Sequence, residues 1–163
     1  MTETAAIPPS ITVKAGHVQP LWAGHPWVFK QAIQRIDEGI ATGDEVVVID
    51  PHGKILGRGL YSAGSAIAVR IFTGSGGQGV DAALIKQRMH EAAALRRAHG
   101  LPCDGDRATT GYRLVHGEGD GLPGLIVDVF EKHVVVQLGT AGLKRHEEAV
   151  VEVPSDMVGT VIE

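Results

Sequence analysis

The sequence has one cysteine, Cys103, so no disulfide can form within the chain. That suits a reducing compartment, and a cytoplasmic location is the expectation. No uncharged run approaches the roughly 20 residues that a membrane helix needs. Residues Met1 to Ser10 have neither a basic start nor a long apolar stretch, so they do not read as a signal or transit peptide. Positive charge is not in excess. The formal net charge is −4, which excludes strong unspecific attraction to nucleic acid. The histidines, at 17, 25, 52, 90, 99, 116, 133 and 146, show no metal-ligand spacing to one another, to the cysteine or to an acid. No paired-carboxylate or Ser/His/Asp pattern stands out, so no catalytic residue and no metal ligand is assigned. Aromatic residues make up only 4%, which makes the position of each Trp and Phe informative.

Against these absences stand a hydrophobic content of 44%, enough for a packed core, and 22 glycines, which imply many tight turns. A length of 163 residues suits one ordinary domain or two small ones. Charge is unevenly spread. Residues 1–75 hold six Lys/Arg and six Asp/Glu, residues 76–110 five and four, and residues 111–163 four and nine. An anionic ligand should therefore meet the first two-thirds of the chain.

Short extended pieces dominate the first 75 residues. Ile11 to Lys14 reads as a strand, Val18 to Ala23 as one or two helical turns with Pro20 near the start, and Trp27-Val-Phe29 as the next extended piece. Glu45 to Asp50 is a strongly apolar strand, closed by the Pro51-His-Gly53 turn and followed by Ile55 to Tyr61. Ala66 to Phe72 alternates Ile67, Val69 and Ile71 against Arg70. This part reads as a small β-rich, barrel-like module. Gly74-Ser-Gly-Gly-Gln-Gly79 is a natural boundary.

Asp81 is placed to cap a helix running to about His99, with Gly100 as its stop and Pro102 beyond. Leu84, Ile85, Met89, Ala92 and Leu95 share one side of it. Lys86, His90 and Arg97 share another, read as a solvated face. Strands are expected at Tyr112 to His116, Leu125 to Phe130 and Val134 to Leu138. A second helix is expected from Gly142 to Glu152, with Lys144 and Glu148 at i,i+4. Met157 to Ile162 reads as a further strand without a successor. That leaves an unfinished sheet, open to self-association or to completion by another domain.

Two glycine patterns fit GxGxxG. At Gly74, Gly76 and Gly79 the acid Asp81 sits in the first helical turn, where it repels a pyrophosphate, and the segment after the helix is turn-rich. At Gly119, Gly121 and Gly124 a strand follows instead of a helix, and Glu118 and Asp120 bring negative charge. Both read as connections. Pro102-Cys103 has the form of a nucleophile-bearing dipeptide, but Asp104 and Asp106 oppose thiolate formation, so Cys103 is read as a bystander. The most distinctive local feature is Gly24-His-Pro-Trp-Val-Phe29. Pro26 biases His25 to an extended conformation. Trp27 and Phe29 then share one face, with Val28 and Lys30 on the other. Aromatics at period two are either core or a base-stacking surface flanked by Lys14 and Lys30.

Three blocks occur in order: Gly24-His-Pro-Trp-Val-Phe29, Leu56-Gly-Arg-Gly-Leu-Tyr-Ser62, and the run from Tyr112 through Glu118-Gly-Asp-Gly-Leu-Pro-Gly124 to Asp128. Together they resemble the N-terminal part of the RlmI-like family of large-subunit ribosomal RNA cytosine-5 methyltransferases, from about Lys14 to the end of the chain. Gly24 stands where that family often has a basic residue. The resemblance implies an α+β chain: a PUA pseudo-barrel over residues 1–75, then a partial, truncated mixed β/α middle domain over residues 80–163. It also implies a Rossmann-like methyltransferase domain that binds S-adenosylmethionine and carries the nucleophile. Nothing in this chain matches that domain's cofactor loop or cysteine, so no cofactor-binding residue is carried over and the chain alone is expected to be inactive.

The expected partner is ribosomal RNA. Candidate contacts are Lys14, Lys30, Arg58 and Arg70 for phosphates and Trp27 for stacking, with His25 beside it in the same motif. Two alternatives stand beside this reading: a self-sufficient RNA-binding module, and a structural spacer that binds nothing, which the balanced charge of residues 1–75 keeps open. A nucleotide-dependent enzyme is a more distant fourth.

Overall fold

The computed structural model describes residues 8–102, 109, 111–158 and 160–162. Cys103, Asp104 and Asp106 lie outside the described residues. The chain divides between Gly79 and Val80 into two compact units.

The first unit contains β1 (Ser10–Val13), α1 (Val18–Trp22), β2 (Trp27–Phe29), β3 (Ile33–Ile36), β4 (Glu45–Ile49), β5 (Ile55–Tyr61) and β6 (Ile67–Gly74). The strands form one curled sheet in the order β2-β6-β5-β4-β1-β3. All neighbours are antiparallel except β1 and β4. Period-two alternation sends Ile11, Val13, Val28, Val46, Val48 and Val69 into one core, which α1 closes with Val18 and Leu21. Burying each such side chain contributes roughly 1.5–3 kcal/mol.

Two local devices shape the sheet. Asp50 accepts backbone N–H groups from His52 (2.8 Å) and Lys54 (2.9 Å), and Gly53 supplies the positive φ of 82° for the turn into β5. At Gly59 the neighbouring strand comes so close that a Cβ would lie 2.1 Å from the Arg70 carbonyl oxygen. The register between β5 and β6 shifts at that point, between Arg58 and Gly59. The glycines of the second sequence block are thus spacers between main chains. Strand β3 has no counterpart in the sequence reading. Its burial is slight, and Ile36 is exposed.

The second unit contains α2 (Ala82–Ala98), β7 (Gly111–His116), β8 (Leu125–Phe130), β9 (His133–Leu138), α3 (Ala141–Lys144), α4 (Glu147–Val158) and β10 (Thr160–Ile162). Its sheet runs β10-β9-β8-β7, with β10 parallel to β9 and the other pairs antiparallel. The Asp81 carboxylate accepts the Leu84 N–H at 2.8 Å and caps α2, while Gly100 stops it at a φ of 78°. The chain is therefore mixed α+β.

Three expectations need correction here. Leu95 is 48% exposed, and Ala93 takes its place on the buried side of α2, because Leu95 falls at the edge of the apolar stripe near the helix end. The second helix is two helices. Thr140 caps α3 through Leu143 N–H, the chain turns at Arg145 and His146, and Glu147 and Glu148 favour a new N-terminus. Lys144 accordingly pairs with Glu147, not with Glu148. Finally α4 continues through Pro154 to Val158, so the last strand is limited to Thr160–Ile162.

Candidate nucleic-acid interface

Strand β2 is the edge of the first sheet. Before it, His25 N–H donates to the Pro20 carbonyl (2.9 Å) and Gly24 takes a φ of 90°, which turns the chain out of α1. The Pro26 carbonyl accepts Ile71 N–H (2.7 Å) and Lys30 N–H donates to the Ala66 carbonyl (2.9 Å), so both ends of β2 are tied to the β6 side. Between them Trp27 opposes Arg70, Val28 opposes Val69 and Phe29 opposes Ile67. Val28 is the core residue, at 1% exposure, while Trp27 is half-buried and Phe29 is 38% exposed. The two aromatics therefore lie on the face opposite the core residue Val28. Lys30 does not share the buried face of Val28. It opens a 3-10 turn over Lys30–Ala32 and is exposed.

The outward rings form a group of three. Trp27 and Phe29 meet edge to face at 6.2 Å, His25 and Trp27 at 5.6 Å, and His25 and Phe29 lie 6.4 Å apart at 37°. The His25 Nδ1 accepts the Trp27 N–H at 3.2 Å. That bond assigns the proton of the neutral ring to Nε2, which points a donor away from the backbone.

Cations flank this group. Arg70 is the register partner of Trp27, so both side chains project from the same face of the sheet. Its guanidinium reaches the Ile67 carbonyl at 3.4 Å. Lys14 Nζ donates to the Gln31 carbonyl (2.7 Å), which holds the ammonium beside the Lys30–Ala32 turn. Arg58 stands apart, on β5, with its guanidinium 3.8 Å from the Glu45 carboxylate. Lys14, His25, Trp27, Lys30 and Arg70 are thus gathered around β2, and Arg58 is not. Phe29 and His17 belong to this surroundings as well. Neither was singled out as a contact residue from the sequence, although Phe29 was visible by its alternation with Trp27.

The second unit holds an ionic network that the sequence reading missed. Arg96 donates twice to Asp120 (2.6 and 2.7 Å) and its Nε to the Arg113 carbonyl (3.0 Å). Asp120 also accepts His116 N–H at 2.6 Å. Arg113 makes a second two-pronged pair with Asp128 (2.9 and 3.0 Å), and Arg88 donates to the Gly121 carbonyl. Burial pushes the Asp120 carboxyl up, but the Arg96 hydrogen bonds, the His116 N–H and the nearby positive charges outweigh it and hold it below the ordinary range. These contacts fasten the Gly117–Asp120 turn to α2, with Gly117, Gly121 and Gly124 in positive φ, as a strand connection requires.

Neither glycine cluster fits a cradle for S-adenosylmethionine. Gly74–Gly79 leads into a helix whose first turn is already capped by a carboxylate, and Gly117–Gly124 joins two antiparallel strands. No step of methyl transfer is assigned to these residues. Among the described residues no cluster of three or more His, Cys, Asp or Glu could hold a metal ion, and no helix is long and apolar enough to cross a membrane.

Residues 11–74 match the family model of the PUA-like domain. The chain is 37% identical over 145 residues to the ribosomal RNA large subunit methyltransferase I of Pseudoalteromonas atlantica, which covers 86% of this chain and 35% of that protein. It is 32% identical over 148 residues to the protein of the same name from Klebsiella pneumoniae, covering 91% and 36%. Among solved structures, a candidate SAM-dependent methyltransferase from Streptococcus mutans superposes with a TM-score of 0.75 at 13% identity, over 90% of this chain and 37% of that one. A candidate methyltransferase complexed with SAH superposes with a TM-score of 0.72 at 14% identity, over the same shares. At such identities these two likenesses speak for the fold. Residues 11–74 are thus a PUA-like domain, and the chain is similar to the ribosomal RNA large subunit methyltransferases I over about a third of their length.

Proposed function

We propose that this chain binds ribosomal RNA and serves as the substrate-placing portion of an S-adenosylmethionine-dependent rRNA (cytosine-5) methyltransferase, whose catalytic Rossmann-like domain lies outside these residues. The observation that carries the reading is the outward group of His25, Trp27 and Phe29 on the edge of a PUA-like sheet, with Arg70, Lys30 and Lys14 around it. In a chain with so few aromatics, three rings turned away from the core are a poor use of apolar area unless something stacks on them. The cations supply phosphate contacts, which position RNA without reading its sequence. Residues 80–163, the middle domain in this reading, contribute a scaffold.

The test is binding of ribosomal RNA fragments by the whole chain, with stability measured in parallel. Trp27→Ala should weaken binding by ~1–3 kcal/mol. Because Val28 is the core residue of that strand, the melting temperature should move little. Lys30→Ala with Arg70→Ala should weaken binding to all sequences alike and flatten a salt slope that is shallow from the start, on the order of two to four released ions. No affinity at low salt would remove the proposal.

The structural spacer keeps two observations in its favour. Residues 1–75 balance six basic against six acidic residues, and Arg58 is held by Glu45. In that reading Trp27→Ala leaves no binding to lose.

A further inference from the structure

Between α1 and β2 lies a cavity of ≈ 290 Å³, lined among others by His17, Leu21, His25, Trp27, Phe29 and Ala32. We propose that this cavity receives one unpaired RNA base, stacked against the Trp27–Phe29 rings and read by the Nε2–H of His25. The inference rests on the RNA-binding reading above and narrows it from a surface to a single-base pocket.

Three features carry it. The first is size: the cavity sits at the low end of the roughly 300–1,000 Å³ typical of small-molecule sites, enough for one planar ring system and too small for a duplex or a peptide helix. The second is charge. Among the described residues the lining holds no carboxylate and no ammonium, while Lys30 follows Phe29 directly and Lys14 is tethered to the Gln31 carbonyl next to Ala32. A neutral aromatic interior with a cationic rim complements a nucleotide, whose base is neutral and whose phosphate is not. The third is direction. Because His25 Nδ1 is engaged by Trp27 N–H, the ring offers Nε2–H as a fixed donor, suited to a carbonyl or ring-nitrogen acceptor on the edge of a base.

The experiment uses the whole chain with Trp22→Phe, which leaves Trp27 as the sole tryptophan. Trp22 is 60% exposed beside Lys54, so its removal leaves β2 untouched. Trp27 emission is then titrated with a single-stranded RNA oligonucleotide, with an RNA duplex of the same length and with nucleoside monophosphates. The expected result is quenching by the single strand, reversal of that binding by millimolar nucleotide, and no quenching by the duplex. His25→Gln keeps an N–H near the Nε2 position, and His25→Asn keeps an acceptor near the Nδ1 position. The first should bind close to wild type, and the second should lose on the order of three- to tenfold in affinity, the worth of one neutral hydrogen bond. Ribosomal RNA binding with no change at Trp27, or equal competition by duplex, overturns the pocket and leaves the RNA-binding reading standing. No binding of any RNA overturns both. Equal affinity of the Gln and Asn variants removes the donor role.

Discussion

Asp120 offers a sharp test of how the second unit is held. Its side chain is 5% exposed and that of its partner Arg96 is 15% exposed. Replacing Asp120 by Asn keeps the shape but removes the charge and turns one acceptor into a donor that faces the guanidinium. Breaking a buried pair by removing one partner costs 3–5 kcal/mol, and the residual exposure of Arg96 argues for the lower end, about 3 kcal/mol. For a unit of this size each kcal/mol moves the melting temperature by roughly 4–8 °C, so a drop of roughly 12–24 °C is expected at neutral pH. The pH dependence has a definite sign. The carboxyl of folded Asp120 titrates below its unfolded value of about 3.9, so its contribution is complete above that pH and is lost as pH falls through the folded value. Wild type and Asp120→Asn should therefore differ most at pH 7 and converge below about pH 4. Asp37 and Asp50, whose carboxyls are also held low, chiefly by the Ser10 side-chain hydrogen bond and the Lys54 N–H respectively, are common to both proteins and cancel in the comparison. Thermal unfolding by circular dichroism across that range, with hydrogen exchange on the β7 and β8 amides, reads the effect. Equal melting at pH 7, or a gap that persists unchanged at pH 3, would refute the reasoning.

Other positions follow the same logic. Gly59→Ala places a methyl on the Arg70 carbonyl and should cost about 3 kcal/mol or more in overpacking, with loss of the β5–β6 ladder seen by hydrogen exchange; a native melting temperature would show that the strands can part cheaply. Gly121→Val forces a branched side chain into a φ of 69° against Arg88, and about 1–3 kcal/mol of lost stability should appear as a lower melting temperature. Incubated with labelled S-adenosylmethionine and ribosomal RNA, the chain alone should give background counts; incorporation abolished by Cys103→Ala would overturn the bystander reading of that thiol.

Where the chain alternates or caps strongly, the sequence was sufficient. Glu45–Ile49 and Ile55–Tyr61 are apolar, bounded by a Pro-His-Gly turn, and form adjacent antiparallel strands. Asp81 and Gly100 bracket α2 because a carboxylate cap and a left-handed stop are local requirements that neighbouring residues satisfy. Elsewhere tertiary context decided. Ile33-Gln-Arg-Ile36 has no apolar face to announce a strand. It becomes one because β1 offers a free edge and Asp37 accepts the Ser10 N–H and hydroxyl at 2.9 and 2.7 Å. The helix expected to end at Glu152 continues past Pro154 to Val158, with Val150 and Val153 buried.

The site shows the same division. Period two in Trp27-Val-Phe29 establishes that the rings share a face, but not which face is inward, since a tryptophan and a valine are both acceptable core residues. The answer comes from β6. Val69, opposite Val28, is wholly buried, and Arg70, opposite Trp27, cannot enter an apolar core without a partner. The cross-strand arginine therefore keeps the tryptophan outside, and the same residue becomes its cationic neighbour. Arg58 illustrates the limit of reading charges one at a time. It has the same alternation in its strand, but Glu45, diagonal to it on β4, comes within 3.8 Å and gives its guanidinium an acidic neighbour that Arg70 is not shown to have. Whether a basic residue keeps its charge free of an acidic neighbour depends on what stands on the adjacent strand, and that pairing is fixed by register rather than by the local sequence.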